Sequence, residues 1–323
     1  MDESTLVSIL IPVFNRQDFI GQCIESALMQ TYRNLEVVVV DNASTDDTWQ
    51  ICEHYRRSDN RLRTFKNPEN IGPVLNWKRC IEEARGKYSK ILFSDDLIHG
   101  EYLTRTVPLM DEPGVGFVLT PTVIGAEPWN GSKVYGISQS MECFRSWDFI
   151  LWSLFGTRSP VSPGCALFRT IDIRRNLLFD LPGFEKSDFR THGAGSDLLI
   201  LLLTALQYEL VGFIPEPLVF FRSHPGSITS RGRENSIQEA YLLSRLWFAN
   251  LFLDRRTAKR FNTYTWLRKC TKERRLIPHR EIDYPTFTRE YPTALDILKW
   301  SVEKPFFKRK IRSSSKVPYQ SAS

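Results

Sequence analysis

The sequence predicts an α/β fold, a doubly wound, mostly parallel sheet followed by a helical, basic C-terminal extension. Three observations carry this. Short β-branched apolar runs alternate with segments of helical apolar spacing across residues 6–93. Those runs are apolar on both faces, as in parallel strands covered by helices. Three of them end in polar clusters, at Val13-Phe14-Asn15-Arg16, Asp41-Asn42-Ala43-Ser44 and Ser94-Asp95-Asp96. Ligands of open α/β sheets bind beyond the carboxyl ends of the strands, so these clusters are expected to meet in one crevice.

Residues 6–13 form the first expected strand, with Pro12 expected to end its regular pairing. Residues 18–30 carry Phe19, Ile20, Cys23, Ile24, Ala27 and Leu28 at helical spacing. Residues 35–40 are a second buried strand, residues 48–57 a helix, and residues 61–65 a short third strand. Residues 67–73 read as a loop, 74–84 as a helix, and 91–93 as the strand that delivers Asp95 and Asp96. Adjacent carboxylates at the mouth of a buried strand are costly without a cation nearby, and a hard divalent cation carrying phosphate would satisfy them. Residues alternate faces along an extended chain, so the two carboxylates point apart if the strand continues. A turn cap at Asp96 with a solvated Asp95 is the plainer alternative.

Further on, residues 114–120 read as a strand, 156–162 as a polar mobile stretch, and 162–169 as a turn entering a strand. Gly193-Ala194-Gly195-Ser196-Asp197 opens an apolar helix over 198–206, with Ser196 or Asp197 available as an N-cap. Residues 208–212 lead to a strand, and 215–221 are extended into Arg222-Ser223-His224. Residues 237–253 are helical, with an aromatic-rich side expected to pack on the domain. Residues 254–275 are basic. Residues 297–312 mix Trp300, Phe306 and Phe307 with Lys and Arg, a pattern suited to a membrane surface or to a solvated tail. Residues 313–323 read as a disordered tail. The chain divides into a catalytic unit at 1–235 (halves 1–120 and 121–235), an extension at 236–312, and the tail.

The net charge of +6 hides an asymmetry: 18 Lys and Arg stand against 7 Asp and Glu from Asp254 onward, so the first 253 residues are net acidic. A basic tail suits anionic lipid, nucleic acid or simple solubility. The six cysteines are scattered with no CxxC pair, which fits a reducing compartment without structural zinc. The N-terminus lacks a secretory pattern and no apolar run reaches about 18 residues, so a cytoplasmic protein is expected. Neither GxGxxG nor GxxxxGK[ST] occurs, which argues against a dinucleotide fingerprint or a P-loop.

The order of motifs resembles the family 2 glycosyltransferases, inverting enzymes of the GT-A fold and of polysaccharide biosynthesis. The resemblance is carried by residues 8–15 (Ser-Ile-Leu-Ile-Pro-Val-Phe-Asn), 38–48 (Val-Val-Val-Asp-Asn-Ala-Ser-Thr-Asp-Asp-Thr), 70–72, 94–96, 195–197 and 222–229. It covers roughly residues 6–230. It implies that Pro12, Phe14, Asn15 and Arg16 border a nucleotide sugar, and that Asp41 binds a uracil- or thymine-type base or its ribose. Asn42, Ser44, Asn70, Gly72, Ser94, Asp95 and Arg222 complete the donor side. Asp96, Gly164 and Cys165 face the acceptor, and Asp197 matches the catalytic base. Asp95 matches the last carboxylate of the Asp-x-Asp metal motif, and His224 a residue that ligates the metal or touches the diphosphate. Arg222 suits either phosphate pairing or a structural pair. The first motif Asp is replaced by Phe93.

The chemistry implied is transfer from a UDP- or dTDP-type sugar to a hydroxyl of a glycan or lipid-linked acceptor, assisted by Mn²⁺ or Mg²⁺. No nucleic-acid partner is expected. A position at the inner face of the membrane, through the basic tail, is part of the same expectation. A nucleotidyltransferase and a non-catalytic nucleotide-sugar-binding protein are the alternatives. The first lacks its Gly-rich basic N-terminal loop here, and only Phe93 suggests the second.

Overall fold

A computed structural model of the chain describes residues 4–134, 143–156, 160–181, 189–227, 234–272, 295–296 and 299–300. The basic aromatic segment at 297–312, apart from Lys299 and Trp300, lies outside them. So do the tail and residues 228–229 of the last motif.

The N-terminal half alternates as expected: β1 (Val7–Val13), α1 (Ile20–Leu28), β2 (Leu35–Asp41), α2 (Thr48–Ser58), β3 (Leu62–Lys66), α3 (Pro73–Glu83) and β4 (Tyr88–Ile91). These four strands are parallel, in the order β3-β2-β1-β4. Then follow β5 (Leu97–Ile98), α4 (Tyr102–Asp111), β6 (Val115–Leu119), β7 (Thr122–Glu127), β8 (Asn130–Val134), β9 (Cys143–Arg145) and α5 (Ser146–Phe155). A 3₁₀ turn at Pro163–Cys165 enters β10 (Ala166–Arg169), then α6 (Thr170–Asn176), α7 (Ser196–Ala205), β11 (Leu210–Phe213), β12 (Val219–Arg222), α8 (Glu234–Phe252) and α9 (Arg255–Lys272).

The large sheet continues from β4 through β10, β6 and β11 to β9, with β10 antiparallel to both neighbours. A second sheet runs β5-β12-β7-β8. Mixed, mostly parallel pairing places helices on both faces, and the strand residues sort by parity. Leu10, Val38 and Val40 pack with Val74, Trp77 and Leu198 on one face. Ile9, Ile11, Val37 and Val39 pack with Ile20, Ile24 and Tyr102 on the other.

The strand expected at 91–93 is displaced: β4 is Tyr88–Ile91, and Leu92 and Phe93 already belong to the exit toward the acidic pair. Lys90 masked the strand in the sequence. Its ammonium is fully buried and donates to the Gly164 carbonyl. Pro12 does not end the pairing of β1, for it stands opposite Val40 inside the β1–β2 ladder. The Leu10 carbonyl is turned toward β4, accepting from Leu92. By the period of two, the missing N–H of Pro12 faces that same side, where β4 has already ended.

Neither Ser196 nor Asp197 is the N-cap of α7. Gly195 holds that position at φ +99°, and both expected caps lie in the first turn. The helices α4, α5 and α6 and the β7–β8 hairpin were not evident from the sequence. Pro108 inside α4 disguises a helix, and α5 is apolar nearly all round, which blurs its periodicity. As expected, Cys23, Cys52 and Cys80 are buried thiols inside helices.

Phe117 is fully buried in β6 with its ring centroid 5.3 Å from Phe149 and 5.4 Å from Phe168. Phe117→Ala is expected to cost about 3–5 kcal/mol in urea-denaturation free energy, the range for a large aromatic cavity.

Candidate active site

Three parallel strands deliver the polar clusters to the same edge of the sheet. Asp41, at the end of β2, is fully buried and accepts hydrogen bonds from the backbone N–H and hydroxyl of Ser44. Lys66 Nζ stands 3.7 Å away. Ser44 Oγ in turn accepts the Asn15 N–H at 2.9 Å, and Asn15 Oδ1 accepts the Thr45 N–H at 2.9 Å. Asn15 and Ala43 take left-handed backbone conformations, with φ 50° and 60°. Strained turns of this kind persist only where surrounding bonds over-determine them. Pro12 is buried beneath the turn, while Phe14 is 37% exposed beside it.

Asn42 holds the next loop. Its amide donates to Asn70 Oδ1 at 2.8 Å and accepts from Asn67 at 2.9 Å and from the Ile71 N–H at 3.0 Å. Asn76 extends the network, accepting from Asn67 and donating to the Val40 carbonyl. Asn70 also accepts the Gly72 N–H at 2.9 Å, and Gly72 sits at φ +86°, a conformation that favours glycine. Asn67 and Asn76 were not foreseen as site residues; both are Asn placed amid helix and loop signals.

At the end of β4, Asp95 and Asp96 do point apart. Asp95 Oδ2 lies 2.8 Å from His224 Nε2 and 3.6 Å from Arg16 Nε. The Gly226 N–H donates to His224 Nδ1, so in the neutral ring Nε2 carries the proton and donates to Asp95. Arg16 also donates to the Gly226 carbonyl at 3.3 Å. Asp96 is turned inward and accepts the Arg222 N–H at 2.9 Å. Burial, and then the charge of Asp95, push its carboxyl well above the ordinary range. Burial likewise pulls the Lys90 ammonium down to about 7.

The Arg222 guanidinium is engaged by the chain itself, donating to the Asp95 carbonyl at 3.0 Å and to Gln22 at 2.7 Å, and lying over the Phe19 ring. Ser94 is buried. Gly164 and Cys165 are buried too; Cys165 donates its thiol proton to the Ser162 carbonyl, and burial pushes the thiol up to about 12.

Asp197 lies on a different wall. Its Oδ1 accepts the N–H groups of Gly195 (2.8 Å) and Leu198 (2.7 Å), and its Oδ2 accepts the Tyr241 hydroxyl (2.6 Å). Burial raises its carboxyl to about 7, partly offset by the Tyr241 bond, these backbone bonds and the charge of Arg245. The two walls meet through aromatic contacts. A Cβ on Gly193 would come within 2.4 Å of the Trp77 ring, and the Trp77 and Phe93 centroids are 5.3 Å apart. Phe93 also closes on Gly164, so the residue standing in place of the first motif carboxylate is an apolar wall. Among the described residues, no group of three or more His, Cys, Asp and Glu is arranged to hold a metal alone.

Residues 8–174 match the sequence model of Glycosyl transferase family 2. The chain belongs to glycosyl transferase family 2. This is the family that the motifs resemble. Over 246 residues it is 36% identical to the Escherichia coli UDP-Glc:alpha-D-GlcNAc-diphosphoundecaprenol beta-1,3-glucosyltransferase WfaP, covering 75% of this chain and 86% of that one. Glycosyltransferase GlyG of Streptococcus pneumoniae is 38% identical over 96 residues, 29% of this chain. That match spans 32% of GlyG, and a match to a Haemophilus influenzae glycosyltransferase spans 42% of that protein, so less than half of these relatives is covered. The fold is similar to that of S. aureus TarS 1-349, solved in complex with UDP-GlcNAc, with TM-score 0.66 at 19% identity over 97% of this chain and 91% of that one. The GT-A-type α/β fold expected from the sequence is the one observed. Asp197, Arg222, His224 and Tyr241 all lie beyond the family-matched residues.

Asn42→Ala leaves the Ile71 N–H and Asn67 without this acceptor, and is expected to cost about 1–3 kcal/mol in chemical denaturation. Asp197 also links stability to pH. Its folded value is raised above the ordinary 3.8 to about 7. The stability it contributes is therefore complete below about pH 4 and is lost as pH rises through about 7. Asp197→Asn should flatten that decline in unfolding curves collected between these limits.

Proposed function

We propose that the chain transfers a sugar, with inversion, from a nucleoside-diphosphate sugar of the UDP or dTDP type to a hydroxyl of a glycan or lipid-linked acceptor. Asp197 is the general base. The observation that carries this reading is the placement of the buried Asp197 carboxylate across the Trp77–Phe93 wall from the Asp95–His224–Arg16 cluster. The name of WfaP, a glucosyltransferase acting on a lipid-diphosphate-linked sugar, supports the donor and acceptor classes.

The nucleotide lies along the strand ends, over Pro12, Phe14, Asn15, Asp41, Asn42, Ser44, Asn70 and Gly72. Arg16 faces the diphosphate. Arg222 and Asp96 hold the β4 exit in shape. The acceptor hydroxyl approaches from the Asp197 side. Its oxygen bonds to the anomeric carbon as the bond from that carbon to the diphosphate oxygen breaks, and its proton passes to Asp197. The nucleoside diphosphate leaves with the bonding electrons. One displacement of this kind inverts the anomeric centre without a protein nucleophile, and a positioned base contributes about 10²–10⁴-fold.

Asp95 Oδ2 would hold a divalent cation; His224 Nε2, 2.8 Å away, would join it as the tautomer with its proton on Nδ1, giving up the bond from the Gly226 N–H, and substrate phosphates would complete the shell. When bound, Mn²⁺ or Mg²⁺ supplies positive charge to the departing diphosphate. His favours Mn²⁺. The basic chain from Asp254 onward suits an anionic lipid surface at the cytoplasmic face, where a lipid-linked acceptor would be met. No described helix is long and apolar enough to cross a membrane.

Transfer from UDP-glucose to a short-chain lipid-diphosphate N-acetylglucosamine is expected to rise with pH through an acid limb near 7, the value to which burial raises Asp197. Asp197→Asn should abolish it at every pH while UDP-sugar binding, read by thermal shift, stays intact. Unchanged turnover in that variant sinks the assignment. In the same thermal-shift screen, Mn²⁺ should add to the stabilisation by nucleotide sugar, and His224→Ala should remove that increment.

A further inference from the structure

The C-terminal helix α8 lies outside the family-matched residues, yet one of its side chains reaches the candidate base. Tyr241 donates to Asp197 Oδ2 at 2.6 Å, the length of a charge-assisted O–H···O⁻ bond. Both Asp197 oxygens are thereby tied to this chain. Oδ1 takes two backbone N–H groups at the start of α7, and those bonds fix the plane of the carboxylate. The bond from Tyr241 fixes which side of Oδ2 is occupied and leaves its other lone pair for an acceptor hydroxyl.

The mount of Tyr241 is itself firm. One turn along α8, the Arg245 guanidinium donates to the Ser153 carbonyl of α5 at 3.0 Å and lies 5.8 Å from the Tyr241 ring. Leu246, Trp247 and Phe248 are buried in the core next to α7. A helix that only covered α7 would place apolar atoms over the carboxylate; here it places a phenol hydroxyl.

We propose that Tyr241 is a positioning residue for the transfer reaction, aiming Asp197 Oδ2 at the acceptor and stabilising its ionised form. This rests on the reading of Asp197 as the base. The groups facing Asp197 are Tyr241 and Arg245, both from α8, and the N-terminal backbone of α7. Tyr241 and Arg245 both favour the carboxylate over the acid. Burial opposes them, so without the phenol a smaller fraction of the enzyme carries a competent base at neutral pH.

The test compares wild type, Tyr241→Phe and Asp197→Asn as full chains, using UDP-glucose and the lipid-diphosphate N-acetylglucosamine probe from pH 5.5 to 9.5. The substitution to Phe should move the acid limb of kcat upward by about one pH unit, the scale of a hydrogen bond to a charged group. Turnover should be reduced at pH 7 and largely recovered above pH 9, with the KM for UDP-glucose unchanged. A fluorinated tyrosine at 241, a stronger donor of nearly the same shape, should move the limb down, and this variant serves if the Phe chain does not fold. A limb that stays in place in both chains while Asp197→Asn is inactive overturns the role of Tyr241 and leaves the base standing. An active Asp197→Asn overturns the base and this proposal with it.

Discussion

The contact between Trp77 and the turn at Gly193 is the constraint on which the site depends. The indole is wedged between Phe93, two residues before Asp95, and the glycine turn that launches Asp197. A side chain at Gly193 would collide with it, and φ there is +73°. The strand ends that carry Asp41 and Asp95 and the helix that carries Asp197 are remote in sequence and share no strand. Their separation is set by one rigid aromatic plate, well suited because an indole has few internal degrees of freedom. Tight interiors transmit such constraints because they have no slack to absorb them.

Around that plate the charges are managed by two different means. Asp95 is left within reach of a histidine and an arginine, both of which are also bonded to Gly226. Asp96, one residue on, is buried against a backbone N–H, with the Lys90 ammonium among the charges that favour its ionised form. The two groups have separate partners, the Arg222 N–H for Asp96 and the Gly164 carbonyl for Lys90. These bonds tie β12 and the Gly164 turn to the exit of β4, from which Asp95 projects.

Much of this was legible in the chain. Continuous β-branched apolar runs identified β1 and β2, and the polar ends of the strands marked Asp41, Asn42, Ser44 and Asp95 as candidates before any coordinates. Lys90 misled, because an ammonium inside a strand reads as a surface residue until its carbonyl partner at Gly164, far along the chain, is known. Tyr241 could not be found from pattern. On a helical wheel it is one more aromatic of an apolar side, and only the fold reveals that its hydroxyl meets a carboxylate. Arg222 was open between phosphate and a structural pair; its contacts with Gln22 and the Asp95 carbonyl arise from elements that sequence spacing does not bring together. The apolar wall at Phe93 explains how a motif position can lose its carboxylate and keep a packing task.

The loop from Asn67 to Gly72 is secured by neutral amides, whereas the Asp95 carboxylate stands 3.6 Å from the Arg16 guanidinium. Hydrogen bonds between amides are nearly indifferent to ionic strength and to protons, while a charge pair feels salt over a Debye length of about 8 Å, and feels it less when the pair is mostly buried. The two sides of the crevice therefore answer to different features of the surroundings: the Asn42–Asn70 amides respond little to salt or protons, and the Asp95–Arg16 pair, 16% exposed on each side, responds weakly to salt.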